Sequence, residues 1–201
     1  PLGALGLWAA TNAGPIAATA LVVEDLSVLA DNGKNHSLAT AQKVPSQVAI
    51  DGTSDGAALD YYQIHVDENQ WLTVEALTQC TASKMDPAIR LLTTDGKTIL
   101  VADDDGLGPE CRFRYQFSSA GDYVLEIKDS GYVAGGNYHL RIGDFPLVSH
   151  CFPLAVKRGE EAEINVLTLG GPSPARDGIA AGREITTQNA VCVDDRNLSF
   201  H

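Results

Sequence analysis

The chain has 201 residues, 44% of them hydrophobic, with 14 basic against 26 acidic side chains and a formal charge of −12. That balance argues against nucleic acid, whose binders neutralise phosphates with Lys and Arg, and against an anionic membrane surface. Nineteen glycines and nine prolines spread along the chain suit many short strands joined by tight turns around an adequate apolar core.

Residues Pro1 to Val23 carry no charge. The stretch approaches the length of a membrane span, but Asn12, Gly14 and Pro15 interrupt it and no basic residue flanks it. It reads instead as an edge strand of a preceding domain. No Met and no basic region precede it, so it is not an intact signal peptide; with the ending at Phe200-His201 it reads as part of a longer chain.

From Gln47 onward, strand signals recur at short, regular intervals. Gln47 to Thr53, Leu59 to Asp67 and Gln70 to Cys80 come first, with Tyr62, Ile64, Val66, Leu72, Val74 and Ala76 on inward faces. Pro87 to Thr94 and Lys97 to Asp103 are joined by Asp95-Gly96, a dipeptide that accepts the positive φ of a hairpin turn. Arg112 to Ser118, Asp122 to Asp129 and Asn137 to Phe145 complete eight strands. In the first of these Phe113, Tyr115 and Phe117 share one face and Arg112, Arg114 and Gln116 the other. No segment shows a sustained 3.6-residue stripe. Eight strands at this spacing predict an all-β fold, an eight-stranded jelly-roll-like β-sandwich over residues 31–145. Residues 1–30 read as the end of a preceding β domain and a linker. Pro146 closes the sandwich. Residues 146–201 read as the start of a second β unit, with a strand at Glu161 to Leu169 and a loop at Gly170 to Pro174.

The four cysteines, Cys80, Cys111, Cys151 and Cys192, form no C-x-x-C pair, so zinc is poorly supported. Cys80 ends one predicted strand and Cys111 begins another, which would bring the two to one end of the sandwich. Cys151 and Cys192 would then pair in the C-terminal piece. Even number and wide spacing fit disulfides in an exported protein, free thiols being the alternative.

Few motifs carry chemistry. Gly52-Thr53-Ser54-Asp55-Gly56 matches a nucleophile elbow, but that device needs a helix next, and Leu59 to Ile64 reads as a strand; the match is a turn. His36, His65, His139, His150 and His201 show no metal-site spacing and read as solvent-facing. Asp103-Asp104-Asp105-Gly106 is not an EF-hand loop, which would need an acid at Val101, and it reads as a solvated turn. A second oxygen-rich group gathers Asp31 to Ser37 with Ser54, Asp55 and Asp60, the kind of set from which calcium draws six to eight oxygens. Lys34 within it counts against a cation.

Taken together, Asn35 to Gln42, Ile50-Asp51-Gly52, Leu59-Asp60-Tyr61-Tyr62-Gln63-Ile64, Met85 to Leu92, the Asp103 to Asp105 loop, Gly121-Asp122-Tyr123 and Asn137 to Arg141 resemble the bacterial pre-peptidase C-terminal domain, in order and spacing over roughly residues 25–145. Phe152-Pro153-Leu154 with Lys157-Arg158-Gly159 resembles the opening of the immunoglobulin-like units beside this domain in large exported planctomycete-type proteins. The resemblance implies a jelly-roll-like sandwich in secreted, periplasmic or cell-surface proteins, often beside peptidases. It implies calcium at Asp31, Asn35 and Asp60, with Ser54 or Asp55 adding a ligand. Where the family carries Glu-Pro-Asn-Asp, this chain has Gly33-Lys34-Asn35-His36, losing two acids and gaining a cation.

The expected function is a non-catalytic accessory or structural module. Its partner would be a protein or polymer surface, or neighbouring domains, met on the polar sheet face carrying Arg112, Arg114, His65 and Glu75. The alternatives are a hydrolase using Ser54 and a structural subunit of a larger assembly.

Overall fold

The computed structural model describes residues 3–11, 14–105, 110–155, 161–169, 183–193 and 197–200. The chain forms two compact units, residues 2–144 and 145–201.

The larger unit opens with an antiparallel hairpin, β1 (Gly3–Thr11) and β2 (Gly14–Val23). The uncharged N-terminal stretch is therefore two strands rather than one. Ten further strands make the sandwich. They are β3 (Val28–Ala30), β4 (Gln42–Lys43), β5 (Val48–Asp55), β6 (Asp60–Val66), β7 (Trp71–Leu77), β8 (Pro87–Thr93), β9 (Ile99–Asp103), β10 (Cys111–Gln116), β11 (Gly121–Asp129) and β12 (Ala134–Gly143). One sheet has the order β10-β7-β12-β5-β3 and the other β4-β6-β11-β8-β9. From β5 the chain alternates between sheets, apart from the β8–β9 hairpin. All eight strands expected from alternation are present. Tyr62, Ile64, Leu72, Val74, Leu125, Ile127, Leu140 and Ile142 fill the space between the sheets and are almost wholly buried.

The sandwich reaches upstream of residue 31, because β3 is a short parallel addition to β5; β4 is a similar addition to β6. Two or three residues are too few to show a period, so alternation could not announce them. One side chain sutures this margin. Gln42 accepts the Asn32 N–H at 2.8 Å and donates to the Ala30 carbonyl at 3.1 Å, tying β4 to the end of β3. Strand β7 stops at Leu77, short of the expected Cys80, because Gln79–Thr81 turns into a 3-10 helix. The Glu110 carboxylate holds that turn, accepting Thr78 N–H at 2.7 Å, Thr78 Oγ–H at 3.0 Å and Cys80 N–H at 3.0 Å.

Neither sheet has a wholly wet outer face. On the first, Ala49 and Thr73 are fully buried. On the second, Tyr61, Leu92 and Val124 form a small apolar cluster with Ala41 and Leu59. Glu126 and Arg90 pair there, and Tyr61 is pushed up to about 12 by burial and by the Glu126 charge.

The smaller unit is an antiparallel sheet of β13 (Leu147–Phe152), β14 (Glu161–Leu169), β15 (Arg183–Val193) and β16 (Asn197–Phe200), paired in chain order. The expected strand at Glu161 to Leu169 is present; the expected loop at Gly170 to Pro174 lies outside the described residues. Among the described residues no helix is long and apolar enough to cross a membrane.

Cys80 and Cys111 do not form the expected disulfide. Cys80 is an exposed free thiol in the 3-10 turn, and Cys111 is a buried free thiol in β10 opposite Ala76. Burial pushes both thiols up, Cys80 to about 11 with help from the Glu110 charge. In the smaller unit Cys151 faces Val166, which faces Thr186, while Cys192 lies six residues further along β15. Six residues of strand span about 20 Å, well beyond the reach of a disulfide.

Gln42→Ala should lower stability by about 1 kcal/mol, measured by urea unfolding, because two exposed backbone groups lose their partners to water.

Candidate functional site

Five of the expected site residues do come to one end of the sandwich. Asp31 and Asn35 follow β3, Ser54 and Asp55 end β5, and Asp60 begins β6. The register places Tyr138 opposite Gly52 and Tyr62 opposite Leu125, so the two tyrosines enter the core from opposite sheets. Their hydroxyls meet at 2.6 Å. Tyr138 donates to Asp60 Oδ2 at 2.8 Å, and Tyr62 donates to Asp31 Oδ1 at 3.1 Å. Glycine at position 52 makes this possible: a Cβ there would lie 2.2 Å from the Tyr138 ring. Burial and the carboxylates beside them push both phenols far up, so they remain donors. Burial also raises Asp60, with Asp31 adding to it and the Tyr138 hydrogen bond opposing.

The residue that alternation missed is His36. Its ring spans two carboxylates, with Nδ1 3.0 Å from Asp60 Oδ1 and Nε2 3.3 Å from Asp55 Oδ2. A chain Asp31–Tyr62–Tyr138–Asp60–His36–Asp55 results. Its one signal in the sequence was its place in the oxygen-rich stretch Asp31 to Ser37, since His36 belongs to no recognisable spacing.

The oxygens implied for calcium are of the right chemical kind, but their arrangement does not fit the ion. Asp60 is engaged on both oxygens, Asp31 on Oδ1 by Tyr62 and on Oδ2 by the Gly33 N–H at 3.2 Å, and Ser54 Oγ accepts the Gly56 N–H at 3.0 Å. Asn35 is fully buried with neither amide atom partnered. Its oxygen is of a kind that calcium accepts, but it stands alone among otherwise engaged groups. Among the described residues no group of three or more acids, histidines or cysteines is arranged to hold a metal ion. The Asp103 to Asp105 loop is spread in the same way. Asp103 accepts the Arg112 N–H at 2.7 Å, and Asp104 and Asp105 stay exposed. Asp86 is raised by burial, then by Asp105, Asp129 and Asp104.

The nucleophile reading of Ser54 fails on geometry. Ser54 is buried, its hydroxyl is held by Gly56, and both nitrogens of His36 face carboxylates. The glycines of the motif are structural: Gly52 admits Tyr138, and Gly56 adopts φ +86° against the Ala134 backbone.

The face expected to recognise a partner is likewise divided and closed. His65 lies on β6 of the second sheet, exposed and paired with Asp122 at 2.7 Å. Arg112, Arg114 and Glu75 lie on the first sheet and are mostly covered. There an ion-pair chain crosses four strands: Arg112–Glu75 at 3.5 Å, Glu75–Arg141 at 3.0 Å, and His139–Asp51 at 2.6 Å. Glu24, from the segment before β3, completes it. Its carboxylate accepts Arg141 Nε at 2.6 Å and faces His139 Nε2 at 3.3 Å, with the side chain only 4% exposed. His139 is thus a buried structural residue, not a solvent-facing one. His150 and His201 offer no described side chains. Arg114 pairs with Asp144 at 2.8 Å and lies 5.0 Å over the Trp71 ring.

What stays open on this sheet is a groove of about 600 Å³ between the end of β2 and the outer face of β5 and β12, lined by Leu21, Val28, Asp51, Thr53, Asn137 and His139 among others. Leu21 and Val28 are about half exposed.

No protein-family model matches the chain, and no curated protein matches it. Among solved structures, the chain is similar to the pre-peptidase C-terminal domain of collagenase from Bacillus anthracis, a 1.0 Å crystal structure, with a TM-score of 0.43 and 16% identity, over 51% of this chain and 93% of that one. It is also similar to PliG of Aeromonas hydrophila, a periplasmic inhibitor of g-type lysozyme, with a TM-score of 0.38 and 11% identity, over the same shares.

Gly52→Ala should push the Tyr138 ring off its partners and cost about 3 kcal/mol, read by chemical denaturation. Burial raises the Glu24 carboxyl, but donation from Arg141, then Asp25 and His139, outweighs it and holds the group at about 2. A depressed carboxyl stabilises above its unfolded value near 4.5 and loses that contribution as pH falls toward 2. Stability measured across pH 5 to 2 should therefore fall by on the order of 3 kcal/mol from this group, and Glu24→Gln should flatten that limb.

Proposed function

We propose that the chain is a non-catalytic accessory module of an exported multidomain protein, working by adhesion, spacing or contact with a protein or polymer. The observation that carries this reading is where the ionisable side chains go. Every histidine with a described side chain is paired with a carboxylate, and the serine of the one catalytic-looking motif is buried and hydrogen-bonded to backbone. No nucleophile with a free base beside it remains among those groups, whereas catalysis of that type requires one. The formal charge of −12 supports protein or polymer over nucleic acid. The open groove beside Leu21, Val28, Thr53 and Asn137 is the surface offered for contact, since it joins exposed apolar side chains to convergent polar ones. A secreted, periplasmic or cell-surface setting accords with the resemblance in sequence. Calcium forms no part of this reading, because the carboxylate oxygens of Asp31 and Asp60 and the Ser54 hydroxyl implied for it are already engaged.

Ser54→Ala should leave any hydrolysis of ester, peptide or glycoside substrates unchanged. A loss of activity in that variant would overturn the non-catalytic reading. Co-sedimentation with insoluble polysaccharides and fibrous proteins tests the groove: Thr53→Trp should abolish any pelleting seen for the unaltered chain.

A further inference from the structure

We infer that His36 occupies the place a metal ion would need at the closed end of the sandwich, so that this module is held together there without calcium. The inference rests on the geometry of the polar chain and is independent of what the groove binds.

Several carboxylates directed at one end of a fold repel one another unless something positive or donating lies between them. Here the acids are Asp31, Asp55 and Asp60, drawn from three separate segments. Three side-chain donors meet them: the Tyr62 hydroxyl on Asp31, the Tyr138 hydroxyl on Asp60, and the His36 ring spanning Asp60 and Asp55. Carboxylate oxygens only accept, so each contact uses a lone pair that calcium would otherwise claim. Calcium also needs six to eight oxygens within 2.3–2.6 Å of one point. An imidazole between two of the carboxylates bars them from such a point, and Lys34 in the same loop adds a further positive charge. The ring is held rather than incidental. It follows Asn35, whose carbonyl accepts the Tyr61 N–H at 2.9 Å, so the loop is pinned to β6 at the residue before it. His36 is a positioning residue: it acts by keeping Asp55 and Asp60 in place.

The test is thermal melting of the whole chain at one fixed pH, in millimolar calcium chloride and in chelator, for the unaltered protein, His36→Ala and His36→Asp. The unaltered protein should melt at the same temperature in both. His36→Ala should melt roughly 5 °C lower in chelator, as expected for the loss of a contact worth about 1 kcal/mol in a domain of this size. His36→Asp should melt lower still in chelator and regain several degrees in calcium, because an acid in place of the ring both repels its neighbours and offers the ion a ligand. Calorimetric titration with calcium should show binding for His36→Asp alone. A calcium-dependent rise in the unaltered protein would overturn the inference, as would His36→Ala melting with the unaltered protein or His36→Asp ignoring calcium.

Discussion

The contact on which this end of the molecule depends is the meeting of two phenol hydroxyls, 2.6 Å apart, inside the sandwich. Tyr62 comes from one sheet and Tyr138 from the other, so the contact joins the two layers by direction as well as by burial. Hydrophobic packing holds sheets together without specifying their offset. Two buried phenols that each give their one proton to a carboxylate do specify it, because a displaced hydroxyl would be buried without a partner. Asp60 and Asp31 terminate the pair, and His36 carries it to the surface at Asp55. A single run of polar contacts thereby ties the end of β3, the start of β6 and the end of β5 to the middle of β12.

The outer face of the first sheet follows the same logic with charges in place of hydroxyls. Arg112, Glu75, Arg141, His139 and Asp51 lie in cross-strand rows, and Glu24 closes over them from outside the sheet. Removing one member would leave others buried and unpaired, which costs more than the pair contributes. Such chains therefore behave as units. Charged residues that look like a recognition surface in a linear sequence are in fact occupied with one another.

How far the sequence could be read depended on period. Strands of seven or more residues with one dry face, such as β6, β7 and β11, declared themselves with their inward side chains correct. Strands β3 and β4 were invisible because parallel additions of two or three residues carry no pattern. The outer faces misled for a different reason: alternation says that Arg112 and Glu75 point away from the core, but not that Glu24, distant in sequence, will cover them. The acids at Asp31, Asp55 and Asp60 were legible as a group, yet what lies between them was not, since His36 acquires its role only from the turn that places it. The cysteines were judged by number and spacing, whereas register sets the Cys151 and Cys192 positions apart along the strands.

The entry of the chain into the sandwich has a mechanical side. Glu24 is clamped to β12 immediately before β3, which runs parallel to β5 over three residues. A pull on the chain ahead of Glu24, resisted from within the sandwich, loads the clamp and the short parallel ladder together along the strand axis. Bonds arranged across the direction of a pull must break at once, whereas a hairpin opened from its end yields them one by one. The N-terminal margin of this module is accordingly built as a shear joint, able to pass tension into the body of the sandwich.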